Sequence, residues 1–223
     1  MKLSAGLCAV ADHSWPQSFF LSPLPFALRA LGVIRNVSLL LLIIGWLSLW
    51  VRGEGWRSVG LRRPASWWRT VLLGIGIGIA CDAADIFAFL PALRRLTGQG
   101  VELGQFNELR GSLGTLLFWL AVTWTLAAFG EEMAYRGYVL NRIADLLGRS
   151  TAAFTFSAMV VSVLFGFAHV GQGISGILDN VLAGLTFAAL YLASGRNLWL
   201  PIIVHGVVDT ISFVLLFLGF VPK

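Results

Sequence analysis

Six continuous apolar stretches constrain this chain more than any other feature of its sequence. They lie at about 37–51, 70–90, 113–129, 152–170, 176–193 and 201–218. A helix of about 20 residues crosses the hydrocarbon layer of a bilayer, which is roughly 30 Å thick. Because the stretches are continuously apolar, they favour helices over the alternating strands of a membrane barrel. The sequence therefore predicts an all-α fold, a polytopic transmembrane helix bundle of about six spans, within a range of six to eight.

Composition supports a membrane protein and argues against other classes. Of the 223 residues, 57% are apolar and 12% are charged, and this charged fraction is about half that of soluble domains. The formal net charge is +5, but the arginines flank the apolar stretches and form no basic stripe with interleaved aromatic residues. We therefore expect the lipid bilayer as a partner and no nucleic acid. The oligomeric state is left open.

The stretches divide the chain into three segments. Residues 1–36 contain prolines and aromatic residues, which is typical of an interfacial or disordered lead-in. Residues 37–112 are predicted to form the N-terminal membrane helices. Residues 113–218 contain the remaining four spans and most of the ionisable residues that bear on function.

Ionisable residues in the spans are informative because each costs roughly 2.5–3.5 kcal/mol at the centre of a membrane helix. The clearest group, Glu131, Glu132 and Arg136, follows the third stretch directly. On a continuing helix Glu132 and Arg136 are i,i+4 neighbours that can pair, whereas Glu131 points about 100° away. We therefore expect one structural glutamate and one free glutamate. Taken alone, such a group is also typical of an interfacial anchor.

Two histidines lie in later spans. His169 ends the fourth stretch, and His205 lies in the sixth, one helical turn before Asp209. A lone histidine in a span more often makes a hydrogen bond between helices than takes part in catalysis. These ionisable residues, however, come from three separate helices whose interiors otherwise contain few such groups. The sequence therefore predicts that they converge on one buried site within the membrane.

The predicted cluster needs a compensating charge. With neutral histidines, its three carboxylates and one guanidinium give a net charge of −2, which a low-dielectric site does not tolerate. A divalent metal such as zinc, held by His169, His205 and Glu131, would compensate for it, and so would two bound protons. The sequence leaves both possibilities open, and the helical zinc-protease motif H-E-x-x-H is absent.

Either form of the cluster favours hydrolysis. A glutamate beside a histidine can deprotonate a water molecule for attack on an amide carbonyl, while a second histidine stabilises the oxyanion. Covalent catalysis is disfavoured because no serine lies in a G-x-S-x-G motif. Both cysteines, Cys8 and Cys81, are also far from the two span histidines in sequence.

The same residues form three motifs in order: E-E-x-x-x-R at 131–136, F-x-x-x-H at 165–169 and H-x-x-x-D at 205–209. This series resembles the CPBP or Abi family of intramembrane proteases, which is related to the type II CAAX prenyl endopeptidase. The stretch 195–205 also looks like the lead-in to the last motif of that family. The resemblance covers about residues 113–218, half of the chain, and marks this segment as a catalytic helical region.

The resemblance implies roles for the site residues. It implies that Glu131 activates water with His169 as its partner, and that Glu132 and Arg136 organise the site. His205 and Asp209 would form the oxyanion or metal side. The last motif of that family is H-x-x-x-N or H-x-x-x-D. Where relatives carry asparagine, its amide can donate a hydrogen bond to an oxyanion, and an ionised aspartate cannot. Asp209 is therefore expected either to be protonated or to hold His205 or a metal.

The leading hypothesis is an enzyme, a CAAX prenyl protease-like peptidase embedded in the membrane. It would hydrolyse a peptide bond of a membrane-associated peptide or protein tail, with or without a divalent metal, in the plasma membrane of a prokaryote. In the metal-bound case it would be a metalloendopeptidase. One alternative is a non-catalytic relative that acts as a bacteriocin-immunity or scaffold protein. A further alternative is a proton-coupled transporter that uses the same acids.

Three aspartates lie outside the motifs. Asp82 and Asp85 are i,i+3 neighbours in the second stretch and could mark a proton or ion path. The glycine-rich surroundings and Pro91, a candidate position for a helix break, favour a structural or interfacial role instead. Asp179 opens the fifth stretch and is a candidate for supporting the second motif.

Two glycines in the second stretch indicate how its helix packs. Gly74 and Gly78 form a G-x-x-x-G pattern. Such patterns allow two membrane helices to approach closely, because neither glycine carries a side chain. We therefore expect this face of the helix to pack against another span and to have no catalytic role.

Overall fold

The computed structural model describes residues 37–220, which form six apolar helices and, in that range, no strands. The helices are α1 Val37–Val51, α2 Trp67–Thr97, α3 Leu113–Leu146, α4 Thr151–Ala168, α5 Gly173–Ala193 and α6 Trp199–Phe217. The predicted all-α helix bundle is confirmed. The predicted lead-in, residues 1–36, lies outside the described residues, and the division of the chain at residue 112 stays a prediction.

Helix length and surface composition are those of a membrane protein. Helices α2, α3, α4, α6 and the segment Val170–Ala193, which contains α5, are long and apolar enough to cross a bilayer. Helix α1 has 15 residues, which span about 22 Å and are shorter than a full crossing. Large apolar side chains, among them Trp50, Leu72 and Phe87, are exposed on the outside of the bundle. Such an apolar surface is favourable in contact with lipid and unfavourable in contact with water. The protein is therefore an integral membrane protein.

Helix α3 continues through residue 129, where the third apolar stretch ends. Two parts of it, Thr123–Glu131 and Met133–Val139, are wound as π-helix and are separated only by Glu132. A π-helix has i→i+5 hydrogen bonds, is rare, and often occurs at functional sites. The two glutamates therefore lie inside a long helix and not after its end.

Helix α2 also continues past Pro91, so the break considered from the sequence is absent. A π-helical turn at Asp85–Phe89 precedes the proline, which lies in the first turn of the α-helical segment Leu90–Thr97. Since proline has no N–H group, the changed hydrogen-bonding register at this turn accommodates it. Gly98, with a φ of +75°, then ends the helix.

Helix α3 lies at the centre of the bundle and packs against α1, α4 and α6. Its side chains Tyr135 and Tyr138 are fully buried. Helices α4 and α5 approach each other at Gly166, where an added Cβ atom would lie 2.4 Å from Cγ2 of Val181. The end of α4 and the middle of α6 therefore lie beside the middle of α3, where the predicted site residues are.

Helix α2 packs against α6 through Gly74 and Gly78, which confirms the interpretation of the G-x-x-x-G pattern. An added Cβ atom on Gly74 would lie 2.4 Å from Cγ2 of Ile203, and one on Gly78 would lie 2.6 Å from Cγ1 of Val207. Non-bonded carbon atoms pack best at about 3.5–4.0 Å. The missing side chains therefore allow α2 to approach α6 closely.

Replacing Gly78 by Ala should destabilise the bundle by about 1–3 kcal/mol, because the added methyl group meets the stiff β-branched side chain of Val207. Gly76→Ala is the matched control, since Gly76 is exposed and its Cβ atom would have no neighbour within 4 Å. This control should be neutral or slightly stabilised by the higher helix propensity of alanine. Melting temperatures in detergent measure both effects, and equal stability of the two variants would contradict the packing.

Candidate active site

A cavity of about 690 Å³ lies between the helices. Its wall includes Glu131 of α3, His169 at the end of α4, and His205 and Asp209 of α6. Most of the other side chains that line it are apolar. The structure therefore brings these four predicted site residues to one cavity, while Glu132 and Arg136 lie behind its wall.

Glu131 is half-buried and faces the cavity. The Ser38 hydroxyl of α1 donates a hydrogen bond to its Oε1 atom at 2.9 Å. The prediction that this glutamate would be free is therefore wrong, because it did not consider a partner on a distant helix. The serine fixes one carboxylate oxygen and leaves the second available to a ligand in the cavity.

Glu132 and Arg136 form the i,i+4 ion pair that the sequence predicts, and both side chains are fully buried. Arg136 Nη1 donates to Glu132 Oε1 at 2.8 Å, and Nη2 donates to the carbonyl oxygen of Gly184 at 3.0 Å. The guanidinium carbon lies 4.5 Å from the ring centre of Phe165. These contacts join α3 to α4 and α5 directly behind the cavity.

His205 shares the carboxylate of Glu132 with Arg136. Its Nδ1 atom lies 3.0 Å from Glu132 Oε1, and because a carboxylate only accepts hydrogen bonds, Nδ1 carries the hydrogen. The imidazole ring stacks on Phe187 with ring centres 4.6 Å apart. His205 is thus fixed in orientation, with Nε2 lying 3.7 Å from Asp209 Oδ2.

His169 is oriented by its own helix. Its Nδ1 atom lies 2.8 Å from the carbonyl oxygen of Phe165, one turn earlier. A carbonyl oxygen only accepts, so Nδ1 carries the hydrogen and Nε2 has a free lone pair. His169 can therefore accept a proton or a hydrogen bond from a molecule in the cavity.

The three aspartates outside the motifs occupy two different positions. Asp82 is buried and accepts a hydrogen bond from Ser212 of α6 at 3.3 Å, a contact between helices of the structural kind expected. Asp85 and Asp179 line the cavity, and their carboxyl groups contact each other. Two carboxyl groups can share a hydrogen bond only if one of them carries a proton.

Cys81 lines the same cavity and is half-buried with a free thiol. Its distance from the histidines in sequence was therefore a poor reason to set it aside. Within residues 37–220, however, Cys81 makes no hydrogen bond to His169 or His205, so no base is in place to activate it as a nucleophile.

The side chains as arranged do not fit a metal centre. Within the described part of the chain, no three His, Cys, Asp or Glu side chains are grouped closely enough to hold a metal ion. In the ligand set His169, His205 and Glu131, both histidines use Nδ1 for a hydrogen bond within the protein and keep Nε2, and Glu131 keeps one oxygen, but the three side chains are not grouped around one point. A zinc site normally needs at least three protein ligands around one point. No chemical step is therefore assigned to a metal.

Sequence reasoning missed three residues of the site. They are Ser38, which bonds Glu131; Gly184, whose carbonyl accepts from Arg136; and Phe187, on which His205 stacks. Serine in a span is a known signal of contact between helices. Other serines in the spans carry the same signal, so it does not single out Ser38.

Comparison with known proteins finds a family match for part of the chain. Residues 113–211 match the family described as type II CAAX prenyl endopeptidase Rce1-like. These residues are similar to that family and make up slightly less than half of the chain. This confirms the resemblance inferred from the three motifs. No curated protein and no solved structure matches the chain.

The Rce1-like segment coincides with the site. It begins at the first residue of α3 and ends inside α6, two residues after Asp209, so it contains all six predicted site residues. Helices α1 and α2 lie outside it. At the level of the family, the match supports a membrane endopeptidase of the CAAX-protease type, which is a hydrolase.

Proposed function

We propose that the protein is an intramembrane endopeptidase that hydrolyses a peptide bond in a membrane-associated peptide or protein tail. The observation that supports this most directly is that Glu131, His169, His205 and Asp209 line one cavity within the Rce1-like segment. The cavity volume of about 690 Å³ lies in the range of sites that enclose a small ligand. A few residues of an extended chain would fit it.

Glu131 is proposed as the general base. Its carboxylate takes a proton from a water molecule, and the water oxygen attacks the carbonyl carbon of the scissile bond to form a tetrahedral intermediate. The same proton then passes to the amide nitrogen as the C–N bond breaks, which releases an amine and a carboxylic acid. His169 would orient the water, because its Nε2 lone pair can accept the second hydrogen of that water.

His205 is proposed to stabilise the oxyanion. With both ring nitrogens protonated, it donates Nδ1–H to Glu132 and presents Nε2–H to the developing charge. Asp209, at 3.7 Å from Nε2, favours this charged form of the imidazole. One of the two protons needed to offset the net charge of −2 would then lie on His205. Asp209 would act by holding His205 and not by donating to the oxyanion.

Glu132 and Arg136 are proposed as positioning residues. The buried guanidinium holds the Glu132 carboxylate, and that carboxylate holds His205 Nδ1. Neither side chain lines the cavity, so neither would touch the substrate. Their effect on the reaction would come from the orientation of the imidazole.

A cleavage assay tests the proposal against a non-catalytic relative. Purified protein in liposomes is incubated with a library of peptide termini, some prenylated and some unmodified. A peptidase yields defined fragments, whereas an immunity or scaffold protein leaves every peptide intact.

We further propose that the protein acts in the plasma membrane of a prokaryote. Fractionation of the native host should then find it in the plasma-membrane fraction.

Replacing Asp82 by Asn should leave peptide cleavage nearly unchanged, because the amide oxygen can still accept the hydrogen bond from Ser212 and Asp82 does not line the cavity. A proton-coupled transporter that uses Asp82 would instead lose coupling, since an amide cannot carry the proton. Cleavage and proton uptake are measured in the same liposomes. Loss of cleavage in a variant with an unchanged melting temperature would contradict the assignment of Asp82 to packing.

A further inference from the structure

Two turns at one end of the bundle share an unusual backbone. Arg149 has a φ of +55° and Arg196 a φ of +63°, and among the described residues they are the only non-glycine residues with positive φ. Each directly follows a glycine that also has positive φ, Gly148 after α3 and Gly195 after α5. This conformation is costly for a residue with a Cβ atom. Both turns therefore have the same unusual backbone conformation at an arginine.

The two arginines converge on one aromatic ring. The Cζ atoms of Arg149 and Arg196 lie 5.3 and 4.8 Å from the ring centre of Phe154. Arg62, from the loop before α2, reaches the same place, because its Nη2 atom donates to the carbonyl oxygen of Gly195 at 2.7 Å. Arg62, Arg149 and Arg196, here called the arginine cluster, are all exposed.

The arginine cluster carries more charge than its protein partners neutralise. Asp145 pairs with Arg149, but it also pairs with the buried Arg142. In the described ranges, no carboxylate pairs with Arg62 or Arg196. Three exposed guanidinium groups on neighbouring turns give a local excess of positive charge, and an anion with several oxygen acceptors would offset it.

Glu54 does not supply the missing charge. It pairs with Arg52 and Arg142, and not with the arginine cluster. Burial acts to raise the pKa of Glu54, but Arg52, Arg142 and Ser58 together hold that pKa below its ordinary value. Its carboxylate is therefore ionised at neutral pH and already used by other arginines.

The location of the arginine cluster at the ends of the membrane helices indicates which anion it binds. The loops 52–66, 147–150 and 194–198 that surround it join the ends of membrane helices. The exposed side chains Trp67 and Trp68 follow directly, and Arg69 lies 5.3 Å from the Trp68 ring. Tryptophan and arginine at helix ends are typical of the headgroup layer of a bilayer. The geometry points to the arginine cluster as a binding site for the phosphate of an anionic phospholipid.

A titration of the purified full-length protein in detergent tests this assignment. Phosphatidylglycerol, phosphatidylcholine or inorganic phosphate is added while the melting temperature is recorded. Phosphatidylglycerol should raise the melting temperature, and the zwitterionic phosphatidylcholine should not. The double variant Arg149→Gln/Arg196→Gln should bind phosphatidylglycerol about tenfold or more weakly.

A matched control is the double variant Arg94→Gln/Arg95→Gln, which removes two exposed arginines from the other end of α2. Its response to phosphatidylglycerol should equal that of the wild type. An equal loss in both double variants would overturn the site, and so would equal stabilisation by phosphatidylcholine or by inorganic phosphate. If the Arg149→Gln/Arg196→Gln protein melts early without lipid, the exposed single variant Arg62→Gln should still show the weaker binding.

Discussion

Replacing Glu131 by Gln should reduce kcat for peptide cleavage by about 100-fold to 10,000-fold, the usual effect of removing a general base. The amide keeps the size of the side chain, and its oxygen can still accept the hydrogen bond from Ser38 that the carboxylate accepts at 2.9 Å. It cannot take a proton from water. We therefore expect a folded protein that still binds peptides but does not cleave them, as measured by mass spectrometry of the products.

The matched control for this variant is Glu102→Gln. Glu102 is an exposed carboxylate in the loop between α2 and α3 and does not line the cavity. The Glu102→Gln protein should cleave peptides at the wild-type rate. This result would show that losing one negative charge does not by itself reduce cleavage. Cleavage by the Glu131→Gln protein at a rate close to that of the control would contradict the role of Glu131 as the base.

Replacing Arg136 by Ala should lower the free energy of unfolding by about 3–5 kcal/mol, the cost of breaking a buried ion pair by removing one partner. The change leaves the carboxylate of Glu132 buried without its cation and the carbonyl oxygen of Gly184 without its donor. It also empties the space beside the Phe165 ring. Unfolding of the purified protein by a titration with denaturing detergent measures this loss.

An exposed arginine provides the comparison for Arg136. Arg52→Ala removes one of the two arginine partners of Glu54, in an ion pair that is roughly one-third exposed on both sides, and should cost at most about 1 kcal/mol. The double variant Glu132→Ala/Arg136→Ala should be less destabilised than the sum of its single changes, because neither charge is left alone. Equal destabilisation by Arg52→Ala and Arg136→Ala would show that breaking the buried ion pair costs no more stability than breaking the exposed one.

Features that depend on the spacing of residues along one helix could be predicted from the sequence. The i,i+4 spacing of Glu132 and Arg136 predicted their ion pair, and the pair is present. The spacing of Gly74 and Gly78 predicted a packing face, and α6 occupies it. The three motifs together predicted the family, which the match over residues 113–211 confirms.

Contacts between distant helices could not be predicted in the same way. Ser38 and Glu131 are 93 residues apart, and nothing in the sequence near either residue indicates the other. The hydrogen bond between Glu132 and His205 was missed for the same reason. The sequence offered Arg136 as a nearer partner for Glu132 and Asp209 as a nearer partner for His205. The π-helical winding of α3 was also missed, because hydrogen-bonding register leaves no clear mark in composition.

In the proposed reaction, water that is activated beside Glu131 attacks the peptide bond directly. The most direct measurement is a single-turnover cleavage in water labelled with heavy oxygen, followed by mass spectrometry of the newly formed C-terminus. Direct attack by water predicts one heavy oxygen atom in the new carboxyl group for the wild-type protein, and no product for Glu131→Gln. A first-turnover product without the heavy atom would show that a carboxylate oxygen of the enzyme attacked the peptide and passed to the product, and the absence of product across the peptide library would contradict peptidase activity.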